Sequence, residues 1–136
     1  MDAPDAQPGD GQCATATGEC TLRAAIQEAN ALPGADEIIF DPRVIPGTFA
    51  LTLPDLSDAP AATGDLDITD DLTITGAGPG GIIITSRQIG RRVFDVAPLG
   101  PANAAARIVV KISDVTIQGG STPQGDRILI PSIDVD

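Results

Sequence analysis

The sequence contains no His, no Trp and no Tyr, and its three Phe are the only aromatic residues. Each absence removes a class of chemistry. Without His, neither a Ser–His nor a Cys–His nucleophile pair can be assembled. Without Tyr as well, acid–base work falls to carboxylates, Lys111 and Arg. Aromatic rings normally supply the largest single units of core burial. Here small and β-branched side chains must build the core, which suits thin repeated layers better than one bulky centre. Basic residues are also scarce, with 8 Lys and Arg against 19 Asp and Glu and a net charge of −11. That balance argues against nucleic acid as a partner, because phosphate neutralisation needs clustered cations. It equally disfavours an anionic membrane surface, and its plain reading is solubility outside the cell. No apolar run approaches the roughly 18 residues needed to span a bilayer, so no membrane insertion is expected. Residues 1–12 lack the apolar core of a signal peptide, so an exported chain would carry its signal elsewhere.

Cysteine is nearly absent too. Cys13 and Cys20 are the only two, and with no His their spacing fits no common zinc site. A disulfide closing that short loop would remove about 2.5 kcal/mol of unfolded-chain entropy. The alternative is two unpaired thiols. Oxidised, the pair implies an extracytoplasmic compartment.

What the sequence does have is one helix followed by many short strands. Thr21 is a good N-cap, and Leu22, Ala25, Ile26 and Ala29 recur at the spacing of one helical face. Pro33-Gly34 ends the helix, and Ala24 stands where a capping box would place Glu or Gln. The runs Glu37–Phe40, Phe49–Leu53, Leu66–Ile68, Leu72–Thr75, Ile82–Thr85, Val93–Val96, Ile108–Ile112, Val115–Ile117 and Ile128–Ile130 read as strands. Gly, Pro or Asp sits in many of the gaps. Leu72-Thr73-Ile74-Thr75-Gly76 and Val115-Thr116-Ile117-Gln118-Gly119 are near copies, with Val93 about midway, which suggests a solenoid period of roughly 21 residues.

The expected fold class is an all-β solenoid, a right-handed parallel β-helix of few coils with an N-terminal amphipathic capping α-helix. Such a helix would cover the unpaired edge and the open core of the first coil. Three segments follow: 1–12 as a flexible lead-in, 13–36 as a disulfide-pinned loop and capping helix, and 37–136 as coils. Leu22, Ala25, Ile26 and Ala29 would cap a core of Ile39, Leu53, Ile68, Leu72, Ile74, Ile83, Val93, Phe94, Ile112 and Ile117. Asn30, at the helix's buried edge, is placed to bond the open backbone of the first coil, and Arg23 a carbonyl or carboxylate.

From Cys20-Thr21-Leu22-Arg23-Ala24-Ala25-Ile26 the sequence resembles the CSLREA domain family. The resemblance continues through Ala29-Asn30-Ala31, Gly34-Ala35-Asp36, Ile38-Ile39-Phe40, Leu51-Thr52-Leu53, Ile68 to Ile74, Arg92-Val93-Phe94 and Val115-Thr116-Ile117, covering about residues 10–120. It implies the N-terminal cap of a β-helix in a large secreted bacterial surface protein. Ala24 in place of the family Glu and an inserted loop at 54–65 are departures. The function implied is structural or adhesive, at the cell surface or outside the cell, with no catalytic residue and no cofactor. Its partners would be downstream coils or another copy, and surface glycans or host and cell-surface proteins.

Alternative chemistry centres on Asp65, Asp67, Asp70 and Asp71, the densest carboxylate cluster. Paired carboxylates could serve a β-helix polysaccharide lyase or hydrolase. Oxygen-rich turns also suit calcium, although the stretch matches neither an EF-hand nor a calcium β-roll. The bland reading is a solvated turn. A non-catalytic glycan-binding module is a third possibility, weakened by the lack of aromatic side chains. Thr52, Thr73, Thr75, Thr85 and Thr116 fit exposed strand positions better than a flat ladder, because their intervals are irregular. Arg87, Arg91 and Arg92 read as a basic spot in a loop, pairing with nearby carboxylates. The tail Gly125–Asp136 is a candidate closure for the last coil.

Overall fold

A computed structural model describes residues 1–54, 61–86, 92–96 and 107–120. The strand expected at Ile128–Ile130, the tail, half of the inserted loop (55–60), Arg87 and Arg91 lie outside the described residues. The element order is one helix, α1 (Leu22–Ala31), then β1 (Asp36–Ile39), β2 (Gly47–Leu51), β3 (Leu66–Ile68), β4 (Leu72–Thr75), β5 (Ile82–Ser86), β6 (Phe94–Val96), β7 (Val110–Ser113) and β8 (Thr116–Gly119). A short 3-10 turn at Pro42–Val44 links β1 to β2.

The helix begins directly after Thr21, whose backbone is extended and whose side chain accepts from the N–H of Ala24. It ends with the N–H of Leu32 on the carbonyl of Glu28, just before Pro33 and Gly34, the latter at φ 111°. Ala24, the position that departs from the capping box, is fully buried.

The strands form three small parallel sheets, in the orders β1-β4-β7, β2-β5-β8 and β3-β6. The chain visits the sheets in rotation, so every third strand pairs. None of the sheets closes on itself among the described residues. Register stacks like on like: Ile38 lies beside Ile74 and Ile74 beside Ile112. In the second sheet Phe49 neighbours Ile84, which neighbours Ile117. Leu66 sits beside Phe94 in the third. β-Branched residues suit this arrangement because each inward position packs on its counterpart in the next strand.

Two expectations need correction. Leu72 pairs with Val110, not with the Val115 of its near copy, and the two similar motifs lie in different sheets. Paired positions are therefore 28 to 38 residues apart rather than 21, because three strands and their turns separate them. The second correction is a face assignment. In adjacent apolar pairs only alternate residues point inward, and those on β1 and β5 are Ile38, Ile82 and Ile84. Ile39 is 72% exposed and Ile83 only half-buried, while Ala25 and Leu53 are also half-buried. Ile117 does share register with the inward Ile84 but is 48% exposed, since no strand of the described residues lies beyond β8. Ile68, Leu72, Ile74 and Val93 are in the core as expected, and Phe94 and Ile112 pack against it.

Gly76 marks how closely successive turns approach. A Cβ there would lie 2.0 Å from the carbonyl oxygen of Asp114, so only glycine fits.

Candidate functional site

The residues singled out at the start of the chain converge on α1. Cys13 and Cys20 form a disulfide with Cα atoms 5.0 Å apart, one residue before the N-cap. Replacing both by Ser is expected to remove about 2.5 kcal/mol of stability on the loop-closure scale. Urea unfolding of the double variant beside the parent measures it, and an unchanged midpoint would mean the clamp adds nothing.

Leu22 and Ile26 face the core at 5% and 0% exposure, with Ala29 beside them. α1 packs against β1 and β3, which are edge strands of the first and third sheets. Asn30 completes that contact. Its Nδ2 donates to the carbonyl of Asp67 at 2.8 Å, and its Oδ1 accepts from the N–H of Thr69 at 2.9 Å. Leu66 donates its N–H to the carbonyl of Val93, just before β6, so the alternate groups at 67 and 69 face the free edge of β3. One side-chain amide thus makes the two bonds that a neighbouring strand would make opposite Ile68. Asn30→Asp keeps the acceptor and removes the donor. It is expected to lose about 1–3 kcal/mol by setting a carboxylate against a carbonyl, and amide exchange at Thr69 should rise with it.

Arg23 makes the bonds foreseen for it and several more. Its side chain is fully buried, and its Nε lies 2.6 Å from Oδ1 of Asp2, whose own side chain is 2% exposed. Nη1 donates to the carbonyl of Ala61 at 2.9 Å and Nη2 to that of Gly64 at 2.8 Å. Ala61 adopts φ 57° there, a left-handed backbone that costs a non-glycine residue about 1–2 kcal/mol. The carboxylate of Asp2 also accepts from the N–H groups of Thr52 and Leu53, at 2.6 and 2.9 Å. Burial alone would raise the Asp2 pKa, but Arg23 and those two N–H groups hold it below the ordinary value of 3.8.

The lead-in, expected to be flexible, is bonded along the polar face of α1. Thr21 Oγ1 donates to the carbonyl of Ala3, and the N–H of Asp5 donates to Gln27 Oε1 at 2.8 Å. The N–H groups of Gly9 and Gly11 both reach the carboxylate of Glu28. Sequence reasoning missed this because residues 1–12 carry no apolar period, and Asp2, one of three Asp in that stretch, gives no signal of burial.

The four carboxylates grouped by sequence do not stay together. Asp70 accepts from the N–H of Asp71, and Asp71 from that of Val109. Asp65 and Asp67 are instead joined by Asp95, with one oxygen from each within 4.8 Å of the others. The signal for Asp95 lay in strand register, which sets Asp67 beside it. Arg92 bridges the group, 3.1 Å from both Asp65 and Asp95, as expected for that basic spot. Burial raises the Asp67 pKa above 3.8, aided by Asp65 and Asp95 and opposed by the Ala61 N–H and Arg92. These three carboxylates have the oxygen donors a hard cation takes, with Arg92 already neutralising two of them.

A groove of about 320 Å³ separates α1 from β1 and β2, walled by Leu22, Ala25, Ile38, Ile39 and the Phe40–Phe49 pair, whose rings are 5.1 Å apart. No helix of the described residues is long and apolar enough to cross a membrane. Compared with protein-family models, curated proteins and solved structures, the chain gives no match.

Proposed function

We propose that this chain is the capped end of a right-handed parallel β-helix, serving as a structural or adhesive module of a secreted or cell-surface bacterial protein. The observation that carries the reading is Asn30, which occupies the free edge of β3 where a further strand would pair. The rotation of strands through three sheets supports it, since successive coils of a β-helix stack in that order. So does the helix over β1 and β3, because an end left open would template pairing with other chains. The likeness to CSLREA domains fits the same picture: Cys20 to Ile26 holds the disulfide, the N-cap, the buried Arg23 and the core contact. The disulfide is in keeping with a place outside the cytoplasm. At the other end, β7 and β8 are edge strands and Ile117 is half open. That face takes downstream coils or a second copy.

One observation favours a second reading. Asp67 lies with Asp65 and Asp95 in a cluster of three carboxylates whose oxygens are within 4.8 Å of one another, and burial raises its pKa, which is the direction a general acid of a polysaccharide-cleaving site requires. Incubation with acidic and neutral polysaccharides separates the two. The structural reading expects no reducing ends and no unsaturated products. Products that vanish in Asp67→Asn would replace it with a lyase or hydrolase.

A further inference from the structure

Residues 1–12 are held to α1 and to the end of β2 by polar contacts. Met1 is 82% exposed, and the bonds of Asp2, Ala3, Asp5, Gly9 and Gly11 all go to hydrogen-bonding groups. The receiving groups are positioned by contacts of their own. Thr21 caps the helix through Ala24, and Thr52 and Leu53 follow directly on β2. Arg23 is gripped by the carbonyls of Ala61 and Gly64, which aim its Nε and Nη2 toward Asp2. Those carbonyls are neutral, so they orient the guanidinium without neutralising it. A buried guanidinium with its fork pre-set, flanked by two backbone N–H donors, is a receptor for a carboxylate.

We propose that Arg23 with the N–H groups of Thr52 and Leu53 forms a carboxylate-binding site for an acidic extended segment, filled in cis by Asp2 and in trans by Asp2 of a second copy. Gly9 and Gly11, at φ 97° and 84°, lie between that segment and the disulfide loop and supply the bend about which it can swing. Exchange of the segment between chains keeps the bonds of Asp2, Ala3 and Asp5 and gives up only those of Gly9 and Gly11 at the bend, so effective concentration weighs heavily in which arrangement forms. A short linker sets that concentration on the order of millimolar, and crowding of chains favours the trans arrangement.

Two complementary variants test this. Asp2→Ala leaves Arg23 and the two N–H groups without their carboxylate, whereas Arg23→Met leaves a segment carrying Asp2 without its guanidinium. The Arg23→Met chain, labelled with a fluorophore on the exposed Lys111, is titrated with each of three chains and followed by anisotropy. Asp2→Ala is expected to bind, the parent chain about tenfold or more weakly because its site is filled, and unlabelled Arg23→Met not at all. Absence of binding between two variants that keep the parental circular dichroism overturns the proposal. If Arg23→Met fails to fold, a synthetic peptide of residues 1–12 is added to Asp2→Ala or, failing that, Asp2→Asn. The peptide should raise the melting temperature by about 4 °C or more when in large excess, and its Asp2→Ala version should not. Equal shifts from both peptides, or none from either, likewise overturn it.

Discussion

Replacing Arg23 by Met is expected to destabilise the fold by about 3–5 kcal/mol, among the largest effects of any single change in this chain. Met preserves most of the buried volume, so the loss measures the polar contacts rather than a cavity. It leaves Asp2 buried without its cation and takes the donors from the carbonyls of Ala61 and Gly64. A fall in melting temperature of more than about 10 °C should accompany it. Lys should rescue little, because an ammonium cannot reach two carbonyls and a carboxylate from one fixed plane. The sign of the pH dependence follows from Asp2. Its pKa is lowered in the fold, so the stability it contributes is complete above the unfolded value, close to 3.8, and is lost as pH falls through the folded value. The stability deficit of Asp2→Ala against the parent should therefore be full at pH 7 and shrink below that point. A deficit that stays constant down to pH 2 would show that charge has no part in holding the segment.

The second large effect is expected at Ile26→Asp. Ile26 is fully buried in the cluster that includes Leu22, Ile68 and Ile74, and a lone carboxylate there has no partner. Burying it costs more than about 4 kcal/mol, so the helix should lift instead and uncover the edges of β1 and β3. Light scattering should then show aggregation at concentrations where the parent stays clear. Ala25→Asp, one position away and half-buried, should leave the scattering near that of the parent. A soluble, unaltered Ile26→Asp would sink the capping role.

The helix and most strands were legible because their signals are local. Thr21 caps, Leu22 and Ile26 repeat at helical spacing, and the bounds of β3 and β4 follow from apolar runs between turn residues. The face of Ile38-Ile39 was not legible, since two adjacent isoleucines satisfy either alternation and only pairing with Ile74 decides between them. Nor was the true repeat, because similar motifs at Leu72 and Val115 reflect a shared strand-and-turn chemistry rather than a shared sheet. At the candidate site, the bonding of Asn30 and Arg23 could be anticipated from their place on the helix. Asp2, Gly64 and Asp95 could not, for each is brought in by long-range folding rather than by local pattern.

The rotation of strands through three sheets also bears on how the chain acquires its fold. β1 must wait for β4, β2 for β5 and β3 for β6, so every first ladder closes a loop of roughly 30 residues before any hydrogen bond rewards it. Non-local pairing of this kind places folding toward the millisecond-to-second end of the scale. Once one ladder forms, however, it brings the neighbouring turns together and shortens the search for the next. The slow event is the formation of the first ladder, and the helix with its adjoining disulfide is a unit whose contacts are local enough to be ready beforehand.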